Sequence, residues 1–124
     1  MEVKFFICET CGNLIAMIRP SGVPVMCCGK KMKELIPGTI DASLEKHVPV
    51  LEKKDHCACV KVGSVAHPMT KEHLIEWVAV KTEKGCRIER LLPEDAPEVR
   101  IPLLEGEKVE AVYAYCNLHG LWKA

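Results

Sequence analysis

Alternation of apolar and polar side chains is the clearest pattern in this chain, and it begins after the first third. In ACVKVGSV, Ala58, Val60 and Val62 alternate with Cys59 and Lys61. A two-residue period is typical of a strand that buries one face in a core. We therefore predict a half-buried β-strand in this segment.

Similar apolar segments recur along the chain, separated by the turn signal EKG and the proline-rich loop PEDAPE. They are VPVLEKK, CRIERLL, VRIPLL and KVEAVYAY, and in the last we expect Val109, Ala111, Tyr113 and Tyr115 to share one face. About six short strands with turns between them predict an antiparallel β-sandwich.

One segment admits two interpretations. HLIEWVAVKT is rich in β-branched and aromatic residues, which favours a strand. A helix over TKEHLIEWVAV, capped by Thr70, is the alternative. The valine-rich, alternating end of the segment favours the strand.

The chain also divides along its length. The segment IPGTIDAS contains several turn-forming residues and indicates a linker. We therefore predict a small module over residues 1–36, a linker over residues 37–46 and a larger domain over residues 47–124.

The charge balance excludes several classes of partner. Lys and Arg together number 17, as do Asp and Glu, and no run of like charge stands out. Without a basic field, we expect no nucleic-acid partner.

No apolar stretch is long enough to span a membrane, and MEVKFFICETCGN lacks the pattern of a signal peptide. We therefore expect a cytoplasmic protein, whose eight cysteines bind metal or are buried rather than forming disulfides.

Four of these cysteines lie in the first 30 residues as two close pairs. CETC contains Cys8 and Cys11, whereas Cys27 and Cys28 are adjacent. In C-x-x-C one tight turn directs two thiolates to one ion, and a second pair completes a tetrahedron. A module of about 36 residues is too small to be stabilised by its core alone, so a structural metal is expected.

The identity of that metal is less constrained by the spacing. Four thiolates suit zinc and a single iron equally. Gly12 and Gly29 follow the two cysteine pairs, where metal-binding turns often need positive φ. Adjacent cysteines cannot share the usual turn, so we expect a distorted tetrahedron, which favours an electron-transfer iron.

The histidines suggest a second site. Each histidine alone is best interpreted as a surface or core residue, and His56 in the predicted turn KKDHC stays a surface residue. The other four lie in segments that a sandwich can bring together at one end: His47, His67, His73 and His119, with Cys116 nearby. Five donors exceed the four of a structural zinc site, and imidazole with thiolate suits iron. Such a set would leave Fe²⁺ with net charge +1 and one open position.

The chain resembles the desulfoferrodoxins, the two-domain form of superoxide reductase, over essentially its full length. The resemblance rests on the two cysteine pairs and on EKHVPV, KVGSVAHPM, HLIEWV and YCNLHGLWKA. It implies an all-β protein: a desulforedoxin-like module with Fe(Cys)₄, then an immunoglobulin-like antiparallel sandwich with Fe(His)₄Cys. Cys8, Cys11, Cys27 and Cys28 would bind the first iron, and His47, His67, His73 and His119, with Cys116 axial, the second.

The resemblance also implies an activity, the one-electron reduction of superoxide to hydrogen peroxide at the second iron. Lys46 is the expected steering charge for the anionic substrate, and Glu45 is a candidate sixth ligand once the iron is ferric. The first iron would have an electron-transfer or structural role. Rubredoxin is the implied electron donor and a homodimer the implied assembly.

Two other functions compete with this one. A zinc-stabilised interaction protein would leave the histidines unused, and a pure electron carrier would use only the four-cysteine module.

Trp77 and Trp122 are expected in the core. Cys57, Cys59 and Cys86 have no assigned role beyond that of small buried apolar residues, the default for free cysteine; adventitious metal binding by the first two with His56 is a remote alternative.

Overall fold

Two compact units make up the chain in the computed structural model, which describes residues 2–124. The first ends at Ile36 and the second runs from Pro37 to Ala124. The residues predicted as a linker include Gly38, whose N–H donates to the carbonyl of Leu121 at 2.8 Å. Over residues 2–124, no helix has the length and apolar content required to cross a bilayer.

The first unit consists of very short antiparallel strands. In one sheet β1 lies between β2 and β5, and β3 pairs with β4 in a separate hairpin. Only Phe5, Cys8 and Met32 are both apolar and buried among its described residues. The strands are β1 (Lys4–Ile7), β2 (Leu14–Met17), β3 (Met26–Cys27), β4 (Lys30–Lys31) and β5 (Lys33–Glu34).

The second unit is an antiparallel β-sandwich preceded by one turn of helix. One sheet has the strand order β10-β7-β6, and the other has the order β12-β11-β8-β9. The elements are α1 (Leu44–His47), β6 (Pro49–Lys54), β7 (Cys57–Val62), β8 (Ile75–Thr82), β9 (Gly85–Arg90), β10 (Glu98–Pro102), β11 (Val109–Cys116) and β12 (Gly120–Lys123).

The core of the second unit is built from the inward faces of both sheets. Ala58, Val60 and Val62 of β7 are fully buried, as their alternation predicted. Val78, Val80, Val112 and Ala114 face them from the other sheet, with Cys116 at the end of the row. The all-β class and the sandwich are thus confirmed, and the core row of β11 leads directly to the second predicted metal site.

Two predictions about strands had different outcomes. TKEHLIEWVAV forms strand β8 from Ile75 onward, and Thr70 Oγ1 accepts the N–H of His73 in a turn instead of capping a helix. In β11 the expectation of one common face is wrong for Val109. A register shift lies between Val109 and Ala111, and Val109 packs against the core. Tyr115 lies on the opposite face, where it stacks on Trp77 at 5.5 Å.

Candidate metal centres

Two turns bring the four N-terminal cysteines together. Their sulfur atoms all lie within 4.8 Å of one another, and those of Cys11 and Cys27 are 3.7 Å apart. The first turn is closed by the N–H of Gly12, which donates to the carbonyl of Cys8 at 2.8 Å. Gly12 has φ +84°, as expected for a position where a side chain would be strained.

The adjacent cysteines are explained by the hairpin between β3 and β4. Cys27 ends β3, while Cys28 and Gly29 form a two-residue loop with φ of 51° and 72°. Positive φ at both central residues is the signature of a type I′ turn, which matches the twist of the flanking strands. A hairpin therefore replaces the second C-x-x-C turn, and Cys28 itself adopts a left-handed conformation.

The charges in this cluster favour a bound cation. Backbone hydrogen bonding from Cys11 lowers the pKa of the Cys8 thiol to about 6. Hydrogen bonding with Cys11 and Cys8 raises the pKa of Cys28 to about 12, because one thiolate in the group disfavours the next. Four sulfurs this close can all ionise only around a positive ion, so the set fits a thiolate-bound metal.

The second cluster lies at one end of the sandwich. His47 ends α1, His67 follows β7, and His73 precedes β8. Cys116 ends β11, and His119 lies in the turn between β11 and β12. Donor atoms of His47, His67, His73 and Cys116 all lie within 4.8 Å of one another. Although these residues are far apart in sequence, the loops of the sandwich bring them together.

His119 completes the ring of imidazoles. Its Nδ1 is 3.1 Å from Nε2 of His47 and 3.8 Å from Sγ of Cys116. Nε2 of His47 is also 3.1 Å from Nε2 of His67. His47 therefore has His67 on one side and His119 on the other.

The ring planes give the order of the four imidazoles. Neighbouring rings are nearly perpendicular: His67 and His73 at 4.6 Å between centroids, His73 and His119 at 5.2 Å, and His47 with His67 and His119 at 4.7 and 4.9 Å. His47 and His73 are instead 6.4 Å apart with planes only 29° from parallel. These values describe a closed ring in the order 47, 67, 73, 119, in which His47 and His73 face each other.

Backbone carbonyls orient two of these rings. Nδ1 of His47 lies 2.7 Å from the carbonyl of Ser43, and Nδ1 of His67 lies 2.7 Å from the carbonyl of Pro68. A carbonyl only accepts, so both Nδ1 atoms carry the proton and both Nε2 atoms present a lone pair. This is the tautomer in which Nε2 can bind a metal.

Trp122 and Asn117 hold the remaining parts of the site. The indole of Trp122 stacks on His47 at 5.0 Å, and its Nε1–H donates to the carbonyl of His119 at 3.0 Å. Asn117 accepts the N–H of Leu74 and donates to the carbonyl of Glu72. These bonds tie the turn that carries His119 to the segment that carries His73.

The donor set fits a metal ion by an independent criterion, the hydrogen bonding of its buried imidazole nitrogen atoms. Nε2 of His73 is buried and makes no hydrogen bond. The Nε2 lone pairs of His47 and His67 face each other at 3.1 Å, although two acceptors cannot bond. Burial lowers the pKa of His67 to about 4, so this imidazole is neutral near pH 7. Neutral imidazoles that converge with a thiol are ligands for a transition metal.

The thiol of Cys116 is enclosed by protein. Burial raises its pKa, whereas the backbone N–H groups of Leu118 and His119 act in the opposite direction by hydrogen bonding to the sulfur. Such bonds tune how strongly a thiolate donates electron density to a metal.

Lys46 and Glu45 lie next to His47 with exposed side chains. The charge of Lys46 contributes to lowering the pKa of both His47 and His73, behind burial as the main cause. The carbonyl of Glu45 accepts hydrogen bonds from the N–H of Val65 and the hydroxyl of Ser64. A cation thus stands near the ring of imidazoles, on a helical turn fastened to a neighbouring loop.

Some residues have roles that the sequence pattern did not indicate. Trp77 and Trp122 are buried as predicted, but the contact of Trp122 with His47 was not foreseen. Gly63 packs against α1 so closely that an added Cβ would lie 2.5 Å from the carbonyl oxygen of Glu45.

The expectation that Cys86 is buried is wrong, since it lies exposed on β9. His56 is exposed in a turn, as predicted.

The comparisons with known proteins agree with this geometry. The desulfoferrodoxin family model matches residues 39–124. A desulfoferrodoxin of Syntrophotalea carbinolica is 42% identical over 99% of this chain and 96% of its own length. The crystal structure of a superoxide reductase from Treponema pallidum superimposes with a TM-score of 0.85, at 44% identity, covering 100% of this chain and 99% of its own. A one-iron superoxide reductase from Giardia intestinalis gives 0.54 at 27% identity, over 64% of this chain and 95% of its own.

Proposed function

We propose that this chain, which belongs to the desulfoferrodoxin family, is a superoxide reductase whose active site is the ring of four imidazoles beside Cys116. The reaction takes one superoxide, one electron and two protons and gives one hydrogen peroxide. The observation that carries this proposal is the closed ring of His47, His67, His73 and His119, in which the buried Nε2 of His73 has no partner, with a buried thiol within reach.

Both clusters hold iron in this proposal. The four histidines and Cys116 hold the catalytic ion, and Cys8, Cys11, Cys27 and Cys28 hold the other, with an electron-transfer or structural role. Iron bound at the histidine cluster would supply the electron that reduces superoxide. The chain's own residues determine how the substrate approaches, how the thiolate is tuned and how the imidazoles stay neutral.

Lys46 attracts the substrate. Superoxide is an anion, and the exposed ammonium group precedes His47 on α1, where its charge is felt at two imidazoles of the ring. A cation placed so raises the local concentration of an anion and the rate at which it arrives. Screening by salt weakens this attraction, so the contribution of Lys46 is greatest at low ionic strength.

Glu45 has a separate role on the same helical turn. Its carboxylate is exposed, whereas its backbone carbonyl is bound to the loop that contains Ser64 and Val65. We assign the carboxylate to the site as the group that replaces product after oxidation. The bonded carbonyl fixes the backbone of the helical turn that carries both Glu45 and His47.

The N–H groups of Leu118 and His119 stabilise the negative charge on Cys116. They withdraw electron density from the sulfur, which limits how strongly it donates to the metal. A thiolate that donates strongly favours cleavage of an O–O bond in haem-thiolate enzymes. Restrained donation favours release of peroxide with its O–O bond intact.

Partners, location and domain roles complete the proposal. Rubredoxin is the electron donor and the protein is a homodimer, both as the family resemblance implies. All eight cysteines are unpaired thiols, which suits the reducing cytoplasm. The module over residues 1–36 is desulforedoxin-like, and the immunoglobulin-like domain over residues 47–124, joined to it by residues 37–46, carries the reaction.

Iron content, a visible spectrum and peroxide production test the proposal together. Purified iron-loaded protein is expected to contain two irons per chain and to show a second thiolate-to-iron band on oxidation, besides the bands of the four-cysteine centre. Superoxide generated in a short pulse should be consumed with one peroxide formed per superoxide. A fully iron-loaded protein without the second band, or without peroxide formation, would rule out the proposed activity.

A further inference from the structure

A pair of thiols stands apart from both clusters. Cys57 and Cys59 lie on the same face of β7, opposite to the buried Ala58 and Val60. Their sulfur atoms are 3.6 Å apart, and both residues are half-buried. β7 ends at Val62, and the chain continues from there toward His67. Cys57 lies five residues before this end, which is about 16 Å along the strand.

The backbone disfavours a disulfide between these thiols. β7 is the central strand of its sheet and pairs with β6 on one side and β10 on the other. Alternate residues of a strand have Cα atoms about 6.7 Å apart, at the upper end of the range that a disulfide can bridge. Two flanking ladders oppose the kink that would bring them closer. The pair is therefore held as a dithiol.

The thiol of Cys57 also resists oxidation by peroxide, the expected product of this protein. Burial raises the pKa of Cys57, and the neighbouring thiol of Cys59 raises it further. The thiolate is the form that reacts with oxidants, so thiols that remain protonated react slowly. Both observations favour a role in which the two sulfurs act together without bonding to each other.

The spacing of the two sulfurs matches a shared metal ion. With a zinc–sulfur distance of about 2.3 Å and a tetrahedral angle, two thiolates on one ion are about 3.8 Å apart. The observed 3.6 Å differs from this by a few tenths of an ångström. Across the sheet, Arg100 pairs with Cys59 from β10, and its charge partly offsets the rise in the pKa of Cys57 that burial and Cys59 cause.

We propose that Cys57 and Cys59 form a two-thiolate site for a soft divalent cation of the zinc class, separate from the two iron centres. Binding replaces two thiol protons by one divalent ion, so the site changes from two neutral thiols to a neutral dithiolate complex with two protons released. Water completes the coordination, since the sulfurs are partly exposed.

The test uses iron-loaded full-length protein and zinc as the probe. In equilibrium dialysis, wild-type protein should bind one zinc per chain beyond its iron and release two protons with it. Cys57→Ser and Cys59→Ser should each weaken zinc binding more than about a hundredfold. Removing a ligand lowers metal affinity more than removing a contact that only orients a ligand. Cys86→Ser, which removes an exposed single thiol, is the matched control and should bind zinc like the wild type.

Alkylation mapped by mass spectrometry locates the ion independently of any variant's stability. Zinc should protect Cys57 and Cys59 from alkylation while Cys86 reacts at an unchanged rate. Iron content and superoxide reduction should stay at wild-type levels in Cys57→Ser and Cys59→Ser, which separates this site from the proposed activity. The proposal is overturned if no zinc binds beyond the iron sites, if both variants bind it normally, or if Cys57 and Cys59 stay unprotected.

Discussion

Cys116 shows how one side chain can be assigned from its surroundings. The residue is fully buried at the end of β11, and this burial raises the pKa of its thiol against the opposite effect of the backbone N–H groups of Leu118 and His119. A hydroxyl in its place would ionise far less readily and offer a harder donor atom. Cys116→Ser is therefore expected to lower the rate of superoxide reduction more than about a hundredfold.

The four-cysteine centre provides the internal control for Cys116→Ser, because this variant leaves Cys8, Cys11, Cys27 and Cys28 unchanged. Its spectrum should be unchanged, whereas the second thiolate-to-iron band should disappear. Pulse-generated superoxide with optical detection measures the rate. Activity at the wild-type level would exclude Cys116 from the ligand set.

Lys46 contributes through charge rather than contact. Because its ammonium group is exposed, its removal should slow the approach of superoxide without changing the metal centre. We expect Lys46→Ala to lower the second-order rate constant about tenfold at low salt and to flatten its dependence on ionic strength. Lys54→Ala, at the far end of β6, is the control and should retain the wild-type salt slope. An equal slope in both variants would remove Lys46 from the steering role.

The residues that the fold groups at the second cluster could be predicted from the sequence, but the residues that hold them in place could not. Histidine and cysteine have few alternative roles when they recur in loops at one end of a sandwich, so they could be named from their positions. Trp122 could not be assigned to the site, because the residue it stacks on is far away in the sequence. A tryptophan in a strand-like segment is most simply explained by the core, and only the fold shows which neighbour it meets.

Gly63 links two elements of the active-site region. An added Cβ would lie 2.5 Å from the Glu45 oxygen and 3.0 Å from the carbonyl oxygen of Val48, both backbone atoms that cannot rotate away. Gly63→Ala should therefore shift α1, and with it Lys46 and His47. We expect weaker iron binding at the histidine cluster, a displaced second absorption band and slower superoxide reduction.

Gly85→Ala is the matched control, because an added Cβ at Gly85 meets nothing within 4 Å. It should leave the iron content, both absorption bands and the rate unchanged. If Gly63→Ala behaves in the same way, then α1 tolerates the displacement or the contact does not position His47. The four-cysteine spectrum should be intact in both variants and reports that the first unit is folded.

The longer strands were predictable, whereas the shortest elements were not. β7 and β8 have enough β-branched residues for period and propensity to agree. β12 has four residues and its alternation is too brief to detect, and α1 is a single turn without a side-chain cap. The hairpin at Cys28 was also missed, because a cysteine with positive φ is unusual and occurs here where the four-cysteine cluster and the turn coincide.

The two units differ in what stabilises them. The second unit has a core of valine, isoleucine, leucine and alanine from both sheets. The first has few buried apolar residues, among them Phe5 and Met32, and its strands have two to four residues. A unit of this size depends on additional constraints such as a metal. Since structural zinc contributes about 10–16 kcal/mol in small domains, a metal of comparable affinity would dominate the stability of the first unit.

Cys8→Ser tests this division of the whole molecule. Loss of one buried ligand should release the first iron and unfold the first unit, because its few apolar contacts cannot replace the metal. Iron should fall from two per chain to one, and limited proteolysis should cut within residues 1–36 while residues 37–124 resist. The second band and the reduction of superoxide should persist, since the sandwich has its own core and ligands. Cys86→Ser should keep both irons and resist cleavage throughout. Equal cleavage of both units in Cys8→Ser, or loss of the second band, would show that the units do not fold independently.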